Sequence, residues 1–231
     1  MCGRFTQIAD SKKLAEEFGI PIETIPPFKS RYNIAPLQPV LVAIKQKEIK
    51  LRFLLWGLIP SWAKEPSIAS RMINARFETL SERPSFRGPF KNQRCLIPAD
   101  GFYEWKKEGN RKVPYYIRSK RNELFTFAGL WSHWVGSDGA EMISCTIVTK
   151  ESNTLMQLIH PRMPAIVPRG KRDAWLDTSS YRAEDLKSVL ESFPEDALEA
   201  FIVSTRVNDP KYDSVNCVMP KNFELPMKNY A

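Results

Sequence analysis

The sequence predicts a strand-rich α+β fold built as a single domain spanning residues 1–231, and three observations lead there. Short runs rich in β-branched and aromatic residues recur along most of the chain, separated by polar or glycine-containing turns. Helical periodicity is confined to a few brief stretches. No repeat, low-complexity segment or linker interrupts the 231 residues, a length that supports one large domain with a substantial core.

After a first strand at the terminus, Ala9 to Phe18 reads as a short amphipathic helix, with Leu14 and Phe18 four apart, Asp10 or Ser11 as cap and Gly19 as stop. Ile20 to Pro39 carries five prolines and the run Arg31-Tyr32-Asn33-Ile34-Ala35-Pro36, and is expected to be an ordered loop across the core. Val40 to Ile44 and Ile49 to Trp56 form a strand pair, and Trp56 to Trp62 sets two tryptophans around a rigid turn. Ile73 to Leu80 reads as the start of a helix capped near Asn74, and the Arg-, Phe- and Pro-rich stretch from Arg83 to Phe90 as a loop. The dense motif Arg94 to Trp105 precedes strands at Val113 to Arg118, Leu124 to Trp131 and Glu141 to Thr149. Ser152 to Ile159 and Tyr181 to Phe193 read as helices, followed by a strand from Ala200 to Ser204 and a Pro/Asn-rich tail.

With 43% hydrophobic and 26% charged residues the composition is that of a soluble globular protein, which excludes wholesale disorder. The net charge of +8 makes a polyanion such as nucleic acid a fitting partner. No signal-peptide pattern and no apolar run approaching the roughly 20 residues of a membrane span is present, so a cytoplasmic protein is expected. Its four cysteines then read as free thiols. The absence of C-x-x-C and the presence of only His133 and His160 argue against a structural zinc site, and no cofactor is implied.

The first residues carry the most unusual chemistry. Cys2 follows Met1, and a side chain that small normally lets the initiator methionine be removed, leaving cysteine at the terminus. With pKa values of about 7.7–8.0 for an α-amine and about 8.5 for a thiol, such a residue presents two usable nucleophiles. The amine can condense with an aldehyde to a Schiff base, on which the thiol closes a thiazolidine ring. The plainer reading is a small apolar residue opening a strand. Glu104 lies in an otherwise apolar segment, and strand alternation sets it on the face of Phe102, opposite Tyr103 and Trp105. That face is either solvated or a desolvated pocket in which the carboxyl can shuttle protons. His160, beside Pro161 and Arg162, is either a structural histidine or a general acid/base. Trp62 and Trp105, with Arg4, Arg76 and Arg162, are the ingredients of a single-strand nucleic-acid surface, although tryptophans equally fill cores.

Met-Cys-Gly-Arg-Phe, Tyr-Asn-Ile-Ala-Pro, Trp-Gly-Leu-Ile-Pro-Ser-Trp, Asn-Ala-Arg-Phe-Glu-Thr, Arg-Cys-Leu-Ile-Pro-Ala-Asp-Gly-Phe-Tyr-Glu-Trp, Phe-Ala-Gly-Leu-Trp and His-Pro-Arg-Met-Pro occur in this order. Together, from Cys2 to about Pro164, they closely resemble the SRAP (SOS-response-associated peptidase) family, in its short bacterial or phage form. The resemblance implies a curved, barrel-like, mostly antiparallel sheet core with short peripheral helices. It also implies crosslinking of the N-terminal cysteine to the ring-opened aldehyde of abasic sites in single-stranded DNA, shielding the lesion in the DNA damage response. Carried over, it makes Cys2 the nucleophile and Asn74, Glu104 and His160 its active-site companions. Arg4, Arg76 and Arg162 become DNA-backbone contacts, with Trp62 and Trp105 in the aromatic motifs. Ser152-Asn153 departs from the family's usual Ala-Asn, the tail around Val207-Asn208 matches only in part, and neither is assigned a role.

In the implied mechanism Glu104 helps open the sugar ring, the Cys2 amine attacks, His160 moves protons in the imine steps, and Asn74 positions the amine or a sugar hydroxyl. No metal or organic cofactor enters. A monomer acting on DNA at the nucleoid is expected. The rivals are an N-terminal-nucleophile peptidase or amidotransferase, which shares the Met-Cys-Gly start, an autopeptidase removing its own first residue, and a single-strand-binding module with Cys2 inert. Arg4 stands where the amidotransferases carry an apolar residue, and their later glutamine-binding motifs are absent.

Overall fold

Strand pairing divides the chain into two sheets that meet at the first residues. The structure is a computed structural model describing residues 2–179, 183–191 and 193–223. In chain order its elements are β1 (Arg4–Gln7), α1 (Ser11–Phe18), β2 (Arg31–Ile34), β3 (Pro39–Lys45), β4 (Ile49–Trp56) and β5 (Asn74–Arg76). They continue with α2 (Pro84–Asn92), β6 (Arg94–Ala99), β7 (Gly101–Glu108), β8 (Arg111–Ser119), β9 (Phe125–Val135) and β10 (Glu141–Glu151). The last are α3 (Thr154–Gln157), β11 (Arg162–Pro164), α4 (Arg172–Leu176), α5 (Ala183–Glu191) and β12 (Leu198–Ile202).

One sheet runs β12-β8-β7-β1-β2, antiparallel throughout. In the other, β10-β4-β3-β6-β9 closes on itself because β9 pairs with β10, giving a five-stranded barrel-like ring that leaves none of its strands at an edge. β5 and β11 attach to β10, and only β4 and β5 run parallel to it. The expected α+β class with a mostly antiparallel, barrel-like core is the observed one.

Period-2 alternation fills both faces of the ring. On β3, Val40, Val42 and Ile44 join a cluster with Cys2, Phe5 and Phe102, whereas Leu41 and Ala43 face Leu14, Phe18, Phe90 and Trp175 of the helices. Burial on both sides explains why these strands read as near-continuous apolar runs. The chain passes from β6 to β7 at Asp100, whose carboxylate accepts from the Ile8 and Ala9 N–H groups. Gly101 is required there, since a Cβ would sit 2.5 Å from the Tyr116 ring.

Helix α1 is built as expected, with the Asp10 side chain accepting from Lys13 N–H and Gly19 closing it at φ 63°. Three expectations are corrected. Asn74 does not cap a helix: residues 74–76 pair with β10, and 77–79 form a single 3-10 turn, because a sheet partner outweighs local propensity. Arg83 to Phe90 is not a loop; Pro84 sits in the first turn of α2, where a missing N–H costs little, and Phe86 and Phe90 pack into the core. The proline-rich run contains β2, its prolines falling outside the four strand residues. The helix read from Tyr181 to Phe193 is α5, Ala183–Glu191, while Tyr181 and the end of the tail lie outside the described residues.

Candidate active site

Cys2 precedes β1, the strand held between β2 and β7, so ladders on both sides fix the start of the chain. β1 and β7 pair as Arg4↔Tyr103, Phe5↔Phe102 and Thr6↔Gly101. Continued one step, that register sets Gly3 level with Glu104. Cys2 is fully buried, its thiol donating to the Arg4 carbonyl at 3.7 Å. Burial, reinforced by the nearby Glu104 charge, pushes the thiol far above its ordinary range. The sulfur is therefore held as a thiol at neutral pH. Met1 lies outside the described residues.

Glu104 is 2% exposed and shares a face with Phe102, while Tyr103 and Trp105 point to a separate cluster. The alternation read from sequence holds, and the face is buried. Burial raises the carboxyl above the usual glutamate range, with His160 pulling the other way. Glu104 Oε1 and His160 Nδ1 are 3.9 Å apart, beyond hydrogen-bond length but close enough to share a field.

His160 is fixed by its own loop. Its N–H donates to the Met156 carbonyl at 2.8 Å, and Ser152 Oγ donates to its carbonyl at 2.7 Å. Asn153 caps α3 by accepting from Met156 N–H. Ser152 and Asn153, left without a role by the sequence, thus hold the turn that aims the imidazole. Nδ1 lies 3.0 Å from Arg162 N–H and 3.1 Å from the Arg162 carbonyl oxygen. Neutral imidazole accepts from the first with its proton on Nε2; imidazolium donates to the second. Both protonation states are accommodated.

Asn74 arrives from the other sheet. β5 pairs with β10 as Ile147↔Asn74, and Trp56 Nε1 donates to the Ile73 carbonyl at 2.8 Å. From there Asn74 Nδ2 donates to the Cys2 carbonyl at 2.8 Å, while its buried Oδ1 accepts nothing among the described residues. Cys2, Asn74, Glu104 and His160 therefore converge at the seam of the two sheets from four separate segments.

The remaining candidates are found in different states. Arg76 is exposed at the end of β5. Arg162 forks both oxygens of Glu78 at 2.8 and 2.9 Å and reaches the Thr149 carbonyl at 2.7 Å. Arg4 is half-buried, donating to Asn33 Oδ1 at 2.8 Å, the Val207 carbonyl at 2.6 Å and the Asn208 carbonyl at 3.1 Å. Trp105 Nε1 bonds Asn208 Oδ1 at 2.8 Å, and Trp62 is 58% exposed. Sequence reasoning gave no role to Asn33, Glu78 and Asn208, the acceptors that tie these side chains down, although Asn33 and Glu78 lie inside the quoted motifs. A cavity of about 710 Å³ between α1, residues 119–125 and α4 touches none of the four converging residues. Among the described residues no group of His, Cys, Asp or Glu is arranged to hold a metal ion, and no helix is long and apolar enough to cross a membrane.

The family model for SOS response associated peptidase (SRAP) matches residues 1–210. Abasic site processing protein YoqW of Bacillus subtilis is 43% identical over 218 residues, covering 93% of this chain and 97% of its own. Abasic site processing protein YoaM of the same organism is 40% identical over 226 residues, covering 96% and 99%. A crystal structure of a protein from Bacteroides thetaiotaomicron superposes with a TM-score of 0.81 at 27% identity, over 95% of this chain and 99% of that one.

Proposed function

The chain belongs to the SOS response associated peptidase (SRAP) family, and on that premise we propose that it processes abasic sites in DNA by crosslinking Cys2 to them. The observation that carries this reading is the buried convergence at the sheet seam, where the Asn74 amide holds the Cys2 carbonyl and Glu104 faces His160 at 3.9 Å. Two relatives at 43% and 40% identity bear the name abasic site processing protein.

The order of events follows from the protonation states. An abasic deoxyribose is mainly a closed hemiacetal. A carboxyl raised by burial retains its proton more readily than a surface one, so Glu104 gives a proton to the ring oxygen as the C–O bond breaks and takes one from the anomeric hydroxyl. The exposed aldehyde meets the free α-amine of Cys2 once Met1 is gone. The thiol, held protonated by burial, does not compete for this first attack. Carbinolamine forms, His160 donates through Nε2 to the departing hydroxyl, and water leaves. The sulfur then adds to the imine carbon, its proton passing to the nitrogen, and the thiazolidine closes. Asn74 Oδ1, which accepts no hydrogen bond among the described residues, receives one from the amine or a sugar hydroxyl. Arg76 and Arg162 draw the phosphates toward the seam, and Trp62 and Trp105 offer stacking surfaces to a single strand.

Incubation with an abasic single-stranded oligonucleotide, resolved on a denaturing gel, tests the reading. Protein with a free Cys2 amine is expected to give a heat-stable adduct. An N-terminally tagged form is expected to fold and bind DNA without crosslinking. A stable adduct from the blocked form, or none from the free one, contradicts the proposal.

A further inference from the structure

The hairpin of β7 and β8 extends beyond both of its neighbours. On one side, β1 pairs with β7 only from Gly101 to Tyr103. On the other, the β12 ladder reaches Tyr115, and Val203 N–H closes on the Pro114 carbonyl. From Trp105 and Pro114 outward the two strands pair only with each other, through Lys106↔Val113, Lys107↔Lys112 and Glu108↔Arg111. A two-stranded ribbon is marginal in water by itself.

This ribbon also carries an arrangement that weakens it. Lys107 and Lys112 are directly opposite in register, both exposed, and neither makes an ion pair among the described residues. Like charges directly opposite destabilise a sheet. The acidic residue of the tip, Glu108, belongs by alternation to the other face, where it opposes Arg111 and lies 3.8 Å from Lys106 Nζ. The face of the lysine pair continues inward to Trp105, whose Nε1 is anchored on Asn208 Oδ1 at 2.8 Å. An anchored indole followed by two uncompensated cations is the pattern of a single-strand platform, where a base stacks and phosphates neutralise the charge beyond it.

We propose that the Lys107–Lys112 pair grips the phosphates of the DNA strand on one side of the lesion, with the ribbon acting as a guiding arm for the site that holds Glu104. The partner is single-stranded DNA, and the proposal rests on the function given above. Lys107 is three strand residues from Glu104, roughly 10 Å along β7 at about 3.3–3.4 Å per residue, and on the opposite face, so a strand that reaches both passes around the β7 edge that β1 leaves unpaired beyond Tyr103. That distance corresponds to about three stacked nucleotides at 3.4 Å each. The arm therefore engages one flank of the strand, no nearer than about the third nucleotide from the abasic sugar.

The test uses the full chain with Lys107→Ala/Lys112→Ala and, separately, Lys112→Glu. Affinity for single-stranded oligonucleotides, with and without an abasic site, is measured across a salt series. Each phosphate contact on a single strand contributes about 0.7 to the slope of log K against log salt. The double variant is expected to lower the slope by about 1.4 and to weaken binding several-fold for each lost contact at about 0.1 M salt. Lys112→Glu is expected to bind more weakly still, yet to melt no lower than the parent, because it converts a repulsive pair into an attractive one. Truncating the oligonucleotide to two nucleotides on one flank, and on that flank only, is expected to abolish the difference between parent and variants. An unchanged slope, or a deficit that survives truncation of both flanks, overturns the proposal. Because binding to intact strands is read without crosslinking, failure of the arm is distinguishable from failure of the crosslinking reading.

Discussion

Arg4 offers the sharpest test of how this site is held together. Its chemistry suits a phosphate, but its guanidinium is occupied by Asn33 Oδ1 at 2.8 Å and by the Val207 and Asn208 carbonyls at 2.6 and 3.1 Å. These contacts clasp the turn at 205–208 against β1 and keep Asn208 in place under Trp105. Hydrogen bonds to a charged donor contribute about 1.5–3 kcal/mol each when shielded and less when exposed. The Asn208 contact is exposed, and the Val207 carbonyl retains Asn33 Nδ2 at 3.2 Å, so roughly one and a half such bonds are lost in Arg4→Ala. The expected cost is about 2–4 kcal/mol. For a chain of this length that lowers the melting temperature by roughly 5–12 °C. Arg4→Lys keeps the charge but cannot span three acceptors, and is expected to recover less than half of the loss. Thermal unfolding and the salt dependence of single-strand binding are measured together on the same variants. A melting temperature that stays put while the salt slope falls by about 0.7 would mean that Arg4 holds a phosphate and that the clasp is incidental.

Two further outcomes follow from the seam. Cys2→Ala still loses Met1 and keeps an α-amine, so borohydride is expected to trap it on abasic DNA as a reduced imine, whereas the unreduced mixture gives no lasting adduct; abundant stable adduct without reductant would remove the sulfur from the mechanism. Glu104→Gln is expected to slow crosslinking by about 10²–10⁴-fold, as for loss of one positioned acid/base group. Its stability moves the opposite way. A carboxyl raised by burial binds its proton more tightly folded than unfolded, so native stability falls as pH rises from the ordinary glutamate range through the folded pKa. The Gln variant carries no such penalty and is expected to unfold at a higher temperature than the parent at neutral pH, the gap closing below about pH 4; a parent more stable than the variant at neutral pH would place a stabilising charge at Glu104 instead.

What could be read in advance, and what could not, divides by the range of the forces involved. Glu104 was legible because a period of two is a local property: Phe102 goes to the Cys2 cluster and Tyr103 to the other whatever lies across the sheet. Helix α1 was legible for the same reason, its cap and stop being its own neighbours. Asn74 misled because an Asn before a short apolar run has a good local explanation, and a parallel partner such as β10 leaves no mark on a three-residue strand. β2 was hidden among prolines because Asp213, about 180 residues away, supplies acceptors for the Tyr32 and Asn33 N–H groups. The internal partners of Arg4 and Arg162 were illegible for a related reason, since a guanidinium's fit to phosphate says nothing about the carbonyls and carboxylates that also engage it.

The same division bears on reactivity. The protonated Cys2 thiol and the raised Glu104 carboxyl both result from burial, and burial at the seam depends on Asn74 reaching across from the barrel sheet to Cys2. The thiol and the carboxyl thus owe their proton affinities to a closure made by their neighbours. Opening the seam by a fraction of its packing, through Trp56, which fixes Ile73, or through Ser152, which fixes His160, lets water in and returns both groups toward ordinary values. In the proposed mechanism, competence is a property of the joint between two sheets, and residues that only hold that joint shut act as positioning groups.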